Sequence, residues 1–146
     1  MSIPLESEQE AAVAILFSAA MHPSNHISEQ QIEHLSRAIV LCSRFRGFEL
    51  NELTRKAISL QAQHDQKDLI EQAARLIGED FRETLLAMVS EVVLLDGRID
   101  DDRSQLFAML ALFLDIPLER MKMILATYLI RNKWNVQIVD QMESGS

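Results

Sequence analysis

The chain has little that would staple or break it: one cysteine, four glycines and three prolines in 146 residues. A single thiol, Cys42, cannot close an intramolecular disulfide, and its setting in the apolar stretch AIVLC predicts a buried, inert side chain. No apolar run reaches the roughly 18 residues needed to span a bilayer. The opening MSIPLESEQE places acids where a secretory signal carries Lys or Arg ahead of an apolar run, so export is not expected and the cytoplasm is the expected compartment. Basic residues are also scarce. Fourteen Lys and Arg stand against 22 Asp and Glu, giving −8 and a pI near 4.9, a field that opposes phosphate backbones and anionic lipid. Nucleic acid and membrane insertion are therefore not expected. Basic protein surfaces or cations suit such a charge, as does a solvated acidic face that only maintains solubility.

Catalytic signatures are missing as well. There is no Ser-x-x-Lys, no Gly-x-Ser-x-Gly, no Gly-rich phosphate cradle and no Cys-x-x-Cys. Neither Glu29 nor Glu33 has the histidine at plus three that di-iron bundles use.

What is present is helical periodicity. Apolar residues recur at spacings of three and four along almost the whole chain, which predicts one all-α domain over 1–143 with 144–146 as a disordered tail. A first helix starts near Ser7, with Glu10 as its capping-box partner, and stops before His22 and Pro23. Ser28 caps a second over 29–46, with Ile32, Leu35, Ile39 and Cys42 in one stripe and Gly47 at its end. A third over 50–63 buries Leu50, Leu53, Ala57 and Leu60; a fourth over 68–77 is closed by Gly78. The fifth, 79–95, is apolar around much of its girth and is expected at the centre, with Leu85, Met88, Val92 and Leu95 as its main stripe. Asp100 caps a sixth over 101–114, and Pro117 opens a seventh that runs to Trp134.

The segments 12–27 and 84–99 repeat one pattern: an apolar helix, a short corner, an isoleucine and a capping residue. In this register Asn25 falls on Gly97, the two residue types that most readily take the left-handed conformation, and Ser28 falls on Asp100. The second corner lies in EVVLLDGRIDDD, where DGRID is similar to half of an EF-hand loop. With Gly97 at position six, however, Val92, Leu94 and Arg103 occupy positions one, three and twelve, where oxygen ligands are required. An EF-hand is excluded. Asp96 at a helix end, Gly97 as the turn, Ile99 packed inward and Asp100 to Asp102 at the next helix N-terminus remain.

This doubled corner in a small acidic helical chain resembles the TerB-like family associated with tellurite resistance and stress. The match is VVLLDGRIDDDR with QLFAMLALFLDI, and loosely residues 12–134. The resemblance implies a bundle of about seven helices with a pseudo-repeat and no enzymatic activity. It also implies acidic corner residues that hold a metal or meet a protein partner. Carried over residue by residue, Asp96, Gly97 and Ile99 match; Arg103 stands in place of the family's glutamate, Ser24 and Asn25 in place of Asp-Gly, and Gln31 in place of the first unit's glutamate. Asp96 and Asp100 are the candidates for a divalent cation, and Asp101 and Asp102 for partner contact.

Two other features compete. His22 and His26 are four apart but separated by Pro23, which predicts a loop with surface imidazoles. His64-Asp65 is similar to the metal-chelating pair of HD-type phosphohydrolases, although QAQHDQKD also reads as a polar inter-helix loop. Seven methionines suit core gaps or an adaptable groove, and Tyr128 and Trp134 suit either an interface or packing of the last helix. The expected function is a non-catalytic interaction module, with an HD-type phosphohydrolase or a structural homodimer as the alternatives.

Overall fold

In the computed structural model, which describes residues 2–135, seven α-helices and no strand occur among the described residues. Helix α1 (Glu8–Ala20) is the axis: every side chain from Ala11 to Ala20 is buried. Five of those ten positions are alanine, and small side chains let neighbouring helices approach closely on all sides. Helices α3 (Leu50–Gln63) and α4 (Gln66–Ala74) pack on one part of its circumference and α5 (Arg82–Val93) on another. Helix α2 (Glu29–Leu41) covers α5 and α3, α6 (Asp101–Phe113) lies against α4, and α7 (Leu118–Asn132) lies against α5 and α6. The expected all-α bundle is what forms, but its centre is α1 together with α5. Ile15, Leu16, Leu85, Leu86, Phe107 and Leu110 form the middle of the core.

Helix starts follow local chemistry. Ser7 Oγ accepts from the Glu10 amide at 3.1 Å, though Glu10 Oε1 accepts from the Glu6 amide at 3.0 Å and not from Ser7, so the box closes one residue early. Ser28 makes the full reciprocal box with Gln31 (3.1 and 3.0 Å). Helix α3 has the expected bounds, with Leu53, Ala57 and Leu60 buried and Leu50 half-buried. Asp65 caps α4, which therefore begins at Gln66, before the expected Asp68. Pro117 takes the N-cap position of α7, one place ahead of the first turn.

Helix ends depart further from expectation. Helix α2 stops at Leu41 because Cys42 is extended, and a 3₁₀ turn over Ser43–Phe45 follows. Cys42 is consequently half-buried, and Ile32 is exposed instead of joining Leu35 and Ile39 in the core. Helix α4 ends at Ala74. Gly78, with φ −63°, closes nothing; it opens a 3₁₀ turn over Glu79–Phe81 that precedes α5. The reason is an ionic knot. Glu8 accepts from the Gly78 amide (2.7 Å) and from Arg44 Nε (2.6 Å), and Arg44 also donates to both Asp80 oxygens (2.9 and 3.0 Å). A Cβ on Gly78 would lie 3.0 to 3.1 Å from all three side chains. The Arg44 guanidinium also sits 5.1 Å over the Phe81 ring. Two short turns and the start of α1 are thereby locked together. The expected tail at 144–146 lies outside the described residues.

Candidate functional site

The two corners face one cleft. Asn25 has φ 62° and Gly97 φ 70°, so the residues paired in the sequence register both adopt the left-handed turn. Ser28 and Asp100 both cap the following helices, Asp100 Oδ1 accepting from the Arg103 amide at 2.9 Å. The cleft has a volume of about 590 Å³ and is walled by His22, Pro23, Ser24 and His26 of the first corner, by Gln31, Glu33 and His34 of α2, and by Asp96, Asp100 and Arg103 of the second corner. Val92, Val93 and Leu95 of α5 form its apolar floor.

Within the second corner the charges are largely spoken for. Asp96 Oδ1 accepts from Arg103 Nη1 at 2.7 Å and from the Arg98 amide at 3.1 Å. The same Nη1 donates to the Arg98 carbonyl at 2.6 Å, tying the loop into one unit. Arg103, which stands where the resemblance calls for glutamate, therefore brings a cation onto the carboxylate assigned to metal. Asp96 and Asp100 do line the same cleft, but each already accepts hydrogen bonds within the second corner, Asp96 from Arg98 and Arg103 and Asp100 from the Arg103 amide. Among the described residues no three His, Cys, Asp or Glu side chains are grouped so as to hold a metal ion. Asp101 and Asp102 are exposed at the N-terminus of α6 and form no ion pair among the described residues, so their charge faces solvent beside the positive end of the helix dipole.

Ile99 is 39% exposed and does not pin the corner into the core, as the sequence pattern implies. Another contact secures it. Asn132, buried near the end of α7, donates from Nδ2 to the Leu94 carbonyl at 2.8 Å, and Asn135 donates to the Leu95 carbonyl at 3.0 Å. The Leu94 carbonyl at the C-cap of α5 also accepts from the Gly97 amide at 3.0 Å, so Asn132 adds a second donor there and Asn135 engages the next carbonyl, tying the end of α7 to the end of α5. Sequence reasoning missed this pair; an asparagine in the last turn of an otherwise amphipathic helix was the available signal.

The histidines differ from one another. His26 is exposed and His34 half-buried, whereas His22 is drawn partly into the protein, contrary to the expected surface position. Gln66 Nε2 donates to the Ser18 carbonyl at 2.9 Å, which turns Gln66 Oε1 toward His22 Nδ1 at 3.0 Å. An amide oxygen only accepts, so His22 carries its proton on Nδ1. Its Nε2 is buried with no hydrogen-bond partner among the described residues.

His64 and Asp65 are the junction between α3 and α4. The His64 amide ends α3 on the Leu60 carbonyl at 3.0 Å, and Asp65 caps α4. Of the remaining candidates, Met121 is buried, Met123 and Trp134 are exposed, and Tyr128 is half-buried, with burial pushing its phenol above the ordinary range. No helix among the described residues is long and apolar enough to cross a membrane. Comparison with family models, curated proteins and solved structures finds no match to this chain.

Proposed function

We propose that the chain is a non-catalytic helical interaction module of TerB-like type, working in the cytoplasm, whose acidic corner meets a basic surface on a protein partner. The observation that carries this reading is the division of labour among the corner aspartates. Asp96 and Asp100 build the turn, while Asp101 and Asp102 are exposed in the first turn of a helix and form no ion pair among the described residues. Such charges raise the encounter rate with a cationic surface and set its orientation, while apolar contact supplies affinity. The half-buried single thiol suits a reducing compartment.

The cation reading has weaker support, because Arg103 already neutralises the best ligand. The phosphohydrolase alternative has less support, because the Asp65 carboxylate caps α4 and the His64 backbone ends α3. The test is charge reversal. An Asp101→Lys/Asp102→Lys chain is expected to lose, at low salt, the partner that the parent chain retains on co-purification, with its melting temperature unchanged. Equal retention by both chains, or phosphoester turnover that His64→Ala abolishes, would overturn the proposal.

A further inference from the structure

We propose that the second corner and the end of α7 form one movable wall of the cleft, which opens as a unit while the rest of the bundle stays folded, with Asn132 and Asn135 as its latch. Burial marks the unit. Leu94 and Leu106 are both buried, yet residues 95–105 between them include none that is. The pattern recurs after buried Leu125: from 126 to 135 the one buried residue is Asn132, a polar one, with Tyr128 and Leu129 half-buried. Segments with so little buried apolar surface open at a fraction of the free energy that unfolds a whole domain, whereas α1, buried from Ala11 to Ala20, opens only with the domain.

Polar contacts join the two segments. Asn132 Nδ2 donates to the Leu94 carbonyl at 2.8 Å, and Asn135 Nδ2 donates to the Leu95 carbonyl and to Asn132 Oδ1, each at 3.0 Å. The Gly97 backbone lies so near the Asn132 carbonyl that a Cβ would not fit between them, and its amide is bonded to the same Leu94 carbonyl at 3.0 Å. Arg103 then ties the start of α6 to Asp96 and to the Arg98 carbonyl. Displacing either segment therefore disturbs the other, and buried Leu94, Leu106 and Leu125 mark the limits of what moves. Asp96, Asp100, Arg103 and Asn135 all line the cleft, so the unit forms one side of it, with His22, His26 and His34 lining it from the first corner and α2. Opening frees the Leu94 and Leu95 carbonyls and widens the cleft along Val92 and Val93, leaving the packing of α1 on α5 intact. The motion of this wall does not depend on what the cleft binds.

Hydrogen exchange of the full nitrogen-15-labelled chain, read amide by amide under native conditions, is the test. The amides of Gly97 and Ser104, bonded to the Leu94 and Asp100 carbonyls, and those of residues 130–132 in α7 are expected to share one opening free energy, well below that of α1. In Asn135→Ala, a change at an exposed position, exchange at Gly97 and Ser104 is expected to quicken about threefold to tenfold, as the loss of one hydrogen bond implies, with Leu16 and its neighbours in α1 unchanged. Protection of α1 is thus the internal control for folding. Equal quickening in α1 would make Asn135 a prop of the whole fold and overturn the proposal. An unchanged rate at Gly97, or opening free energies that differ between the corner and the end of α7, would overturn it as well.

Discussion

Gly97 and the carbonyl of Asn132 occupy positions that leave no room for a side chain: a Cβ at Gly97 would lie 2.6 Å from the Asn132 oxygen and 2.8 Å from the Lys133 Cα. With φ at 70°, the position excludes other residues twice, once by backbone conformation and once by the approach of α7. Gly47 provides the control, since its φ is 89° but a Cβ there meets nothing within 4 Å. Gly97→Ala is expected to cost about 2–4 kcal/mol and Gly47→Ala about 1–2 kcal/mol in urea unfolding. Equal losses at the two sites would show that α7 does not press on the corner.

Ser18 lies in the last turn of α1, fully buried, and its hydroxyl has no hydrogen-bond partner among the described residues. Because an unsatisfied buried hydroxyl is costly, Ser18→Ala is expected to leave stability unchanged or raise it by about 1 kcal/mol. A loss above that size in thermal or urea unfolding would mean that the hydroxyl is satisfied in solution.

Low pH should loosen the knot between α1 and the two short turns. Hydrogen bonds from Arg44 hold the Glu8 carboxyl below its ordinary value of 4.5, with the Gly78 amide adding to the effect. A folded-state value that is depressed gives stability that is complete above about pH 4.5 and is lost as pH falls through the lowered value. Glu8→Gln is therefore expected to flatten the fall in melting temperature below that pH while lowering stability near neutrality. A parallel fall in both chains would contradict the assignment.

The Asp96–Arg103 pair, with side chains 34% and 23% exposed, holds the second corner closed over the Arg98 carbonyl. A double-mutant cycle of Asp96→Asn and Arg103→Ala should give a coupling of about 0.5–1.5 kcal/mol, more than a fully exposed pair provides. A coupling near zero would return both residues to the solvated surface.

Which of these features the sequence announces depends on how local the cause is. The starts at Ser7, Ser28 and Asp100, and the left-handed turns at Asn25 and Gly97, are legible because one residue and its next few neighbours decide them. The ends of α2 and α4 were not, because Arg44, Glu8 and Asp80, distant in sequence, fix the turns that follow. The central place of α1 is hidden for a similar reason: alanine is compatible with either a surface or a tightly packed axis. Periodicity gave Ile99 and Ile32 to the core, but which face a neighbour covers is a tertiary outcome, and both remain exposed. At the candidate site the turn and caps were readable, whereas the engagement of Asp96 by Arg103 and the bond from Asn132 to the end of α5 required the chain to be folded.

The claim that the second corner is where a protein partner docks is tested most directly by amide spectra of the nitrogen-15-labelled chain, recorded with and without the partner that co-purifies with it. The account predicts that the largest shifts fall on Asp96 to Asp102 and on the cleft wall around Gln31 and His34, and that they vanish in Asp101→Lys/Asp102→Lys. Shifts centred on His64 and Asp65, with the corner unmoved, would contradict it.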